Sequence, residues 1–216
     1  MKPARPSLAL TAAVLAAAML GFYLSQRFTT RHAVPPLPPA PAAAVPVPAV
    51  RPVFSLADTS GAMRSITDWD GRALMVNFWA TWCPPCRREI PLLNELQREH
   101  AAAGFQVIGI AVDFRDAVLS YLEKTPVDYP VLIGEQDALD AAKAFGMAAT
   151  GFPFTVFTDR SGNIITVFVG ELHRAEADVI LGTLTEVNAG RLPAGDARAR
   201  IERQLDGIRS ERRARS

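Results

Sequence analysis

The two cysteines of this 216-residue chain, Cys83 and Cys86, stand three residues apart in Trp82-Cys83-Pro84-Pro85-Cys86. No third thiol exists to pair with either, so they do not belong to a structural disulfide framework. A zinc site of mixed Cys/His type is hard to assemble, because the three histidines, His32, His100 and His173, are scattered. A Cys-x-x-Cys pair is by itself ambiguous between metal binding and redox chemistry. At a junction between a buried strand and a helix it reads as a redox motif. Cys83 would then lie where the first helical N–H groups and the helix dipole favour a thiolate. That thiolate would attack a substrate disulfide, and Cys86, one turn on and more buried, would resolve the mixed disulfide.

The residues around the pair refine this chemistry. Pro84 and Pro85 have no N–H, so two donors that could stabilise the Cys83 thiolate are missing. A less stabilised thiolate makes the disulfide harder to reduce, which predicts a reducing couple well below about −120 mV. Arg87 and Arg88 push the other way, but exposed charges are screened. Glu89 lies three residues after Cys86 and shares its helix face. Two readings stand for it: a carboxylate that takes the Cys86 proton, or a first-turn acid complementing the dipole.

The strand and helix that must hold the pair are visible in the pattern. Leu74–Ala80 is an apolar run with one polar residue, as in a buried strand, and 84–100 is helical, with Ile90, Leu93 and Leu96 on one face and Pro91 expected to kink it. Phe105–Val112 is a second buried strand. Residues 115–124 and 137–145 read as helices, the latter with Asp137 as its cap and Gly146 as its stop. Phe154–Thr158 and Ile164–Val169 form a hairpin across DRSGN, and 174–188 is a last helix. Residues 53–73 add a short leading strand or hairpin. The order gives an α/β fold with parallel crossovers followed by antiparallel strands, hence a mixed sheet flanked by helices.

The segments outside this region have their own character. Residues 1–28 carry an uncharged stretch whose Leu8–Leu24 part would span roughly 26 Å as a helix, enough for a transmembrane anchor. A cleaved signal peptide is the competing reading, although the run is long for one. Residues 29–52 are a linker: eight of the twenty residues from Ala33 to Pro52 are proline, which favours an extended stalk. The folded domain is expected over 53–188. Residues 189–216 form a tail with eight arginines and four acids, expected to be solvated and partly helical or disordered. The net charge of +1 gives no reason to expect a nucleic-acid partner.

NFWATWCPPCRREIP and, some way downstream, TGFPFTVFTDRSGNII together resemble the thioredoxin-like thiol–disulfide oxidoreductases of the TlpA/ResA/DsbE type. The resemblance covers about 53–188 and implies a thioredoxin-like fold with no cofactor and no metal. It implies that Cys83 is the exposed nucleophile, Cys86 the resolving thiol and Glu89 an acid placed at the site. Pro153 matches a cis-proline facing the disulfide, and Phe152 and Trp82 join it in binding substrate. Phe152 is a departure, since smaller residues are common there. Asn77 stands where thioredoxins proper carry a buried acid, and Trp79 and Trp82 match an aromatic pair. The family implies one anchor in the bacterial cytoplasmic (inner) membrane and a catalytic domain facing the periplasm. Its members reduce disulfides in apocytochrome c or copper-insertion proteins, with a membrane thiol transporter of the DsbD/CcdA kind as electron donor. Rival readings are a copper-binding chaperone with His173 as third ligand, a thiol oxidase, and a peroxidase. The Pro-x-x-x-Thr pattern of peroxidases does not precede Cys83.

Overall fold

The computed structural model describes residues 17–25, 46–147 and 151–215. Chain contacts divide it into two units, Met1–Ala43 and Ala44–Ser216. In the first, residues 17–25 are helical. Among the described residues no helix is long and apolar enough to cross a membrane, and the rest of the expected anchor lies outside them.

The second unit is built on a seven-stranded sheet. Its strands are β1 (Ser55–Asp58), β2 (Met63–Ser65), β3 (Ala73–Trp79), β4 (Phe105–Val112), β5 (Val131–Gly134), β6 (Phe154–Thr158) and β7 (Ile164–Val169). Their spatial order is β2-β1-β5-β4-β3-β6-β7. The pairs β3/β4 and β4/β5 are parallel, and the others are antiparallel. The helices are α1 (Pro84–His100), α2 (Arg115–Lys124), α3 (Gln136–Ala144), α4 (Arg174–Asn188) and α5 (Ala194–Arg215).

Side-chain alternation along β3 divides the core. Met75 and Trp79 point to the layer that holds Ile90, Leu93 and Leu96 of α1 and Ile180 and Leu184 of α4. Leu74, Val76 and Phe78 point to the opposite layer, with Ala138, Ala141 and Ala142 of α3 and with Phe145. Phe78 stacks on Phe154 at 4.5 Å between ring centres, so the apolar run of β3 is buried on both faces. α1 continues through Pro91, whose missing N–H removes one bond without ending the helix.

Several expectations are corrected. β5 was not foreseen, because Val131–Gly134 offers only three apolar residues after Pro130, too short a run to signal a strand. Asp137 does not cap α3: Glu135 holds that position, and Asp137 Oδ1 accepts from the N–H of Ala138 at 3.0 Å. The helix does stop at Gly146, which has φ +83°, a conformation that favours glycine. The end of the expected linker belongs to the folded unit, since Ile164 N donates to Ala49 O and Arg51 N to Gly162 O, both at 2.8 Å. The tail is not a solvated appendage either. It forms α5, whose Ala197, Ile201 and Leu205 are buried against the α1/α4 layer. Arg212 of α5 pairs at 2.7 Å with Glu176, a carboxylate buried on α4. Three apolar side chains spaced along two turns and more were enough to dock a segment whose composition is dominated by charge.

Candidate functional site

The turn after β3 delivers both cysteines to the start of α1. Asp113, at the end of β4, accepts from the Thr81 backbone N–H at 3.0 Å and from the Thr81 hydroxyl, which pins this turn to the next strand. Cys83 is the N-cap of α1, in extended conformation, and Pro84 and Pro85 occupy the first two helical positions. Proline is at home there because those N–H groups have no helical partner. Cys83 and Cys86 are joined as a disulfide. Cys83 is 3% exposed and Cys86 0%, so the residue expected to be the exposed member is only marginally the more accessible. The backbone N–H of Cys86 donates to Cys83 Sγ at 3.3 Å. This is the N-cap bond of the helix, and it is the donor that survives when both prolines have removed theirs.

Glu89 lies on the next turn and is 1% exposed. The first turn of α1 carries no acid, so the reading of Glu89 as a dipole-complementing residue is set aside. Its Oε1 accepts from Asn77 Nδ2 at 2.8 Å, and its Oε2 from the Leu172 backbone N–H at 2.8 Å. Asn77 Nδ2 also donates to Thr155 Oγ1 at 3.0 Å. Burial pushes the carboxyl up to about 7, against the pull of the Leu172 and Asn77 hydrogen bonds and with a small push from Glu171. Glu89 is therefore able to hold or release a proton near neutrality, on the helix face it shares with Cys86. Tyr129, buried nearby in the same layer, is held protonated by burial first and by the charge of Glu89 second.

The substrate-facing candidates gather beside the pair. The Phe152–Pro153 peptide is cis. The Phe152 ring lies 6.1 Å from that of Trp82, and Trp82 is 65% exposed. Both line an open groove of about 430 Å³ with Phe114, Leu139, Asp113 and Glu135. Trp79 departs from its partner: it is 1% exposed and packs on Tyr121 at 5.5 Å. His173 is exposed at the head of α4.

Sequence reading missed Thr155, Glu171 and the Leu172 N–H. Backbone groups carry no sequence signal, and Thr155 meets Asn77 only through the antiparallel register of β6 on β3.

A disulfide-bonded Cys-x-x-Cys pair at a helix N-terminus, on a mixed sheet of this order, defines a thiol–disulfide oxidoreductase of thioredoxin-like fold. Residues 42–181 match the Redoxin family. The chain belongs to that family, with the TlpA/ResA/DsbE-type thiol–disulfide oxidoreductases. It is 30% identical over 134 residues to the thiol-disulfide oxidoreductase ResA of Geobacillus thermodenitrificans, covering 62% of this chain and 75% of that one. It is 32% identical over 133 residues to the thioredoxin-like protein YneN of Bacillus subtilis, covering 59% and 74%. Among solved structures, a thiol:disulfide interchange protein of Chlorobium tepidum is similar at 35% identity and TM-score 0.57, covering 64% of this chain and 97% of that one. A secreted thiol-disulfide isomerase of Corynebacterium glutamicum is similar at 25% identity and TM-score 0.57, covering 62% and 84%.

Proposed function

We propose that this oxidoreductase works as a reductase of protein disulfides outside the cytoplasm. The observation that carries the reading is the Cys83 N-cap, where the Cys86 N–H reaches Sγ and the two positions between the cysteines are prolines. Such a site gives the Cys83 thiolate little stabilisation, which favours the oxidised enzyme and hence electron donation to substrate.

The steps follow from the groups present. The Cys83 thiolate attacks one sulfur of the substrate disulfide, and the other leaves as a thiolate that takes a proton. Cys86 gives its proton to Glu89 and attacks Cys83 Sγ. The second substrate sulfur leaves as a thiolate and takes a proton from water while Glu89 releases to water the one it took from Cys86, so the substrate gains two electrons and two protons and the enzyme is left with its disulfide. Trp82, Phe152 and Pro153 receive the substrate chain, and the aromatic groove beside them supports that assignment. The substrate is an apocytochrome c or a copper-insertion protein. A membrane thiol transporter of the DsbD/CcdA kind returns the enzyme to the dithiol. Residues 1–28 anchor the chain in the bacterial cytoplasmic membrane, with the catalytic domain in the periplasm. The resemblance to ResA supports these assignments.

Trapping tests the mechanism and identifies the substrate. A Cys86→Ser variant expressed in the native host should accumulate a mixed disulfide through Cys83. Absence of any adduct at that position rejects the mechanism. Equilibration with glutathione tests direction: a potential above about −150 mV would make the protein an oxidase instead.

A further inference from the structure

Three consecutive residues between β7 and α4 are each bonded to a different part of the site. Gly170 N donates to Pro153 O at 2.9 Å. The Glu171 carboxylate takes a two-pronged contact from Arg88, with Nε at 3.0 and 3.1 Å from its two oxygens and Nη2 at 2.5 Å. Leu172 N donates to Glu89 Oε2 at 2.8 Å. Arg88 and Glu89 are neighbours in α1, and their partners Glu171 and Leu172 are neighbours in the loop. The Leu172 side chain is buried, and Gly170 adopts φ +101°, which other residues rarely do. The tripeptide thus runs from Pro153 to the buried acid, and the ion pair is its outer fastening: Arg88 is 61% exposed and Glu171 19%.

We propose that Arg88 and Glu171 are positioning residues, whose ion pair closes the Gly170–Leu172 segment over Glu89 and keeps that carboxyl dry. The inference rests on the role proposed for Glu89 above. Loss of water is the largest influence on the Glu89 proton, ahead of its hydrogen bonds. Whatever seals the carboxyl therefore sets the pH at which it exchanges protons with Cys86. The bond from Gly170 to Pro153 ties the same segment to the substrate-facing loop, so a substrate that moves Pro153 acts on the seal.

The charged and titratable groups around Glu89 make the test decisive. Glu171 raises its proton affinity, His173 bears on Glu171, Arg88 offsets Glu171, and Tyr129 faces Glu89 from the loop before β5. Asn77 and Thr155 contribute neutral hydrogen bonds from the sheet. Removing the Arg88 charge without moving the loop would leave Glu171 uncompensated and raise the Glu89 titration midpoint. Opening the loop would admit water and lower it, because burial is a larger influence than the Leu172 hydrogen bond lost with it. The two mechanisms differ in sign.

The experiment is a carbon-detected NMR titration of the Glu89 carboxyl in the full-length disulfide form, for wild type, Arg88→Ala and Gly170→Ala. Wild type should titrate near about 7. Gly170→Ala changes no charge and meets no side chain, but strains the backbone that the clasp requires. Both variants should titrate lower by about half a pH unit or more. An unchanged or raised midpoint in either one overturns the proposal. The measurement involves no substrate and so does not depend on the reductase reading. If the midpoints fall as expected while Glu89→Gln resolves mixed disulfides at the wild-type rate, the role of Glu89 fails and the clasp stands.

Discussion

Asn77 Nδ2 sits 2.8 Å from Glu89 Oε1, both side chains fully enclosed between β3 and α1. A neutral amide on β3 thus faces a carboxyl on the helix that bears the cysteines. The amide lowers the proton affinity of Glu89 by its hydrogen bond, while burial raises it by more. The balance leaves a group able to serve as proton acceptor for Cys86 close to neutral pH.

Replacing Glu89 by glutamine should remove that acceptor while keeping the volume. Resolution of a mixed disulfide at Cys83 by Cys86 should slow about 100-fold at pH 7, with the first attack by Cys83 little changed. Stopped-flow measurement of the two phases with a preformed adduct separates them. A variant that slows both steps equally would place Glu89 in the structure rather than in proton transfer.

Glu89 should also write a signature into the stability of the protein. Its folded proton affinity lies above the unfolded value, so the folded state binds more protons between pH 4.5 and about 7. Stability from this group is complete below the unfolded value and is lost as pH rises through about 7. The loss amounts to about 3 kcal/mol when integrated over the shift. Urea unfolding of the disulfide form at pH 5 and pH 8 should show it in wild type and not in Glu89→Gln.

The N-cap geometry predicts the effect of Pro85. An N-cap side chain accepts from the N–H of the second or third helical residue. Here the third, Cys86, donates, and the second is Pro85. Pro85→Ala supplies the missing donor, so the Cys83 thiolate should gain stability and the potential should rise by about 20 mV. Glutathione equilibration reads it directly. A potential that stays put or falls would show that proline acts here by rigidity instead.

The Arg212–Glu176 pair should hold α5 in place. Glu176 is 4% exposed in its side chain, and Arg212→Ala leaves its charge buried without a partner. A loss of about 1–2 kcal/mol is expected, since Arg212 is half exposed and solvent softens the penalty. Adding Glu176→Gln to the same protein should restore most of it, which a double-mutant cycle in denaturant would measure.

The particular elements explain what could be read in advance. The Cys83/Cys86 pair, the apolar run of β3, the 3.6-residue pattern of α1 and the β6–β7 hairpin are local in the chain, and each was legible from residue types and spacing. So was the alignment of Glu89 with Cys86, a matter of helical period alone. The weight of Glu89 was not legible. Its burial and its two partners come from Asn77, twelve residues before it, and from a backbone N–H eighty-three residues after it. The docking of α5 was hidden because charge dominates its composition, while a few apolar side chains on one face decide its place. β5 was hidden because a four-residue strand is stabilised by its neighbours β4 and β1 rather than by its own pattern. Covalent order and local period therefore determined which atoms stand together for the proposed chemistry. Solvent exclusion and long-range hydrogen bonds, which exist only after the chain has folded back on itself, decided how strongly Glu89 holds its proton.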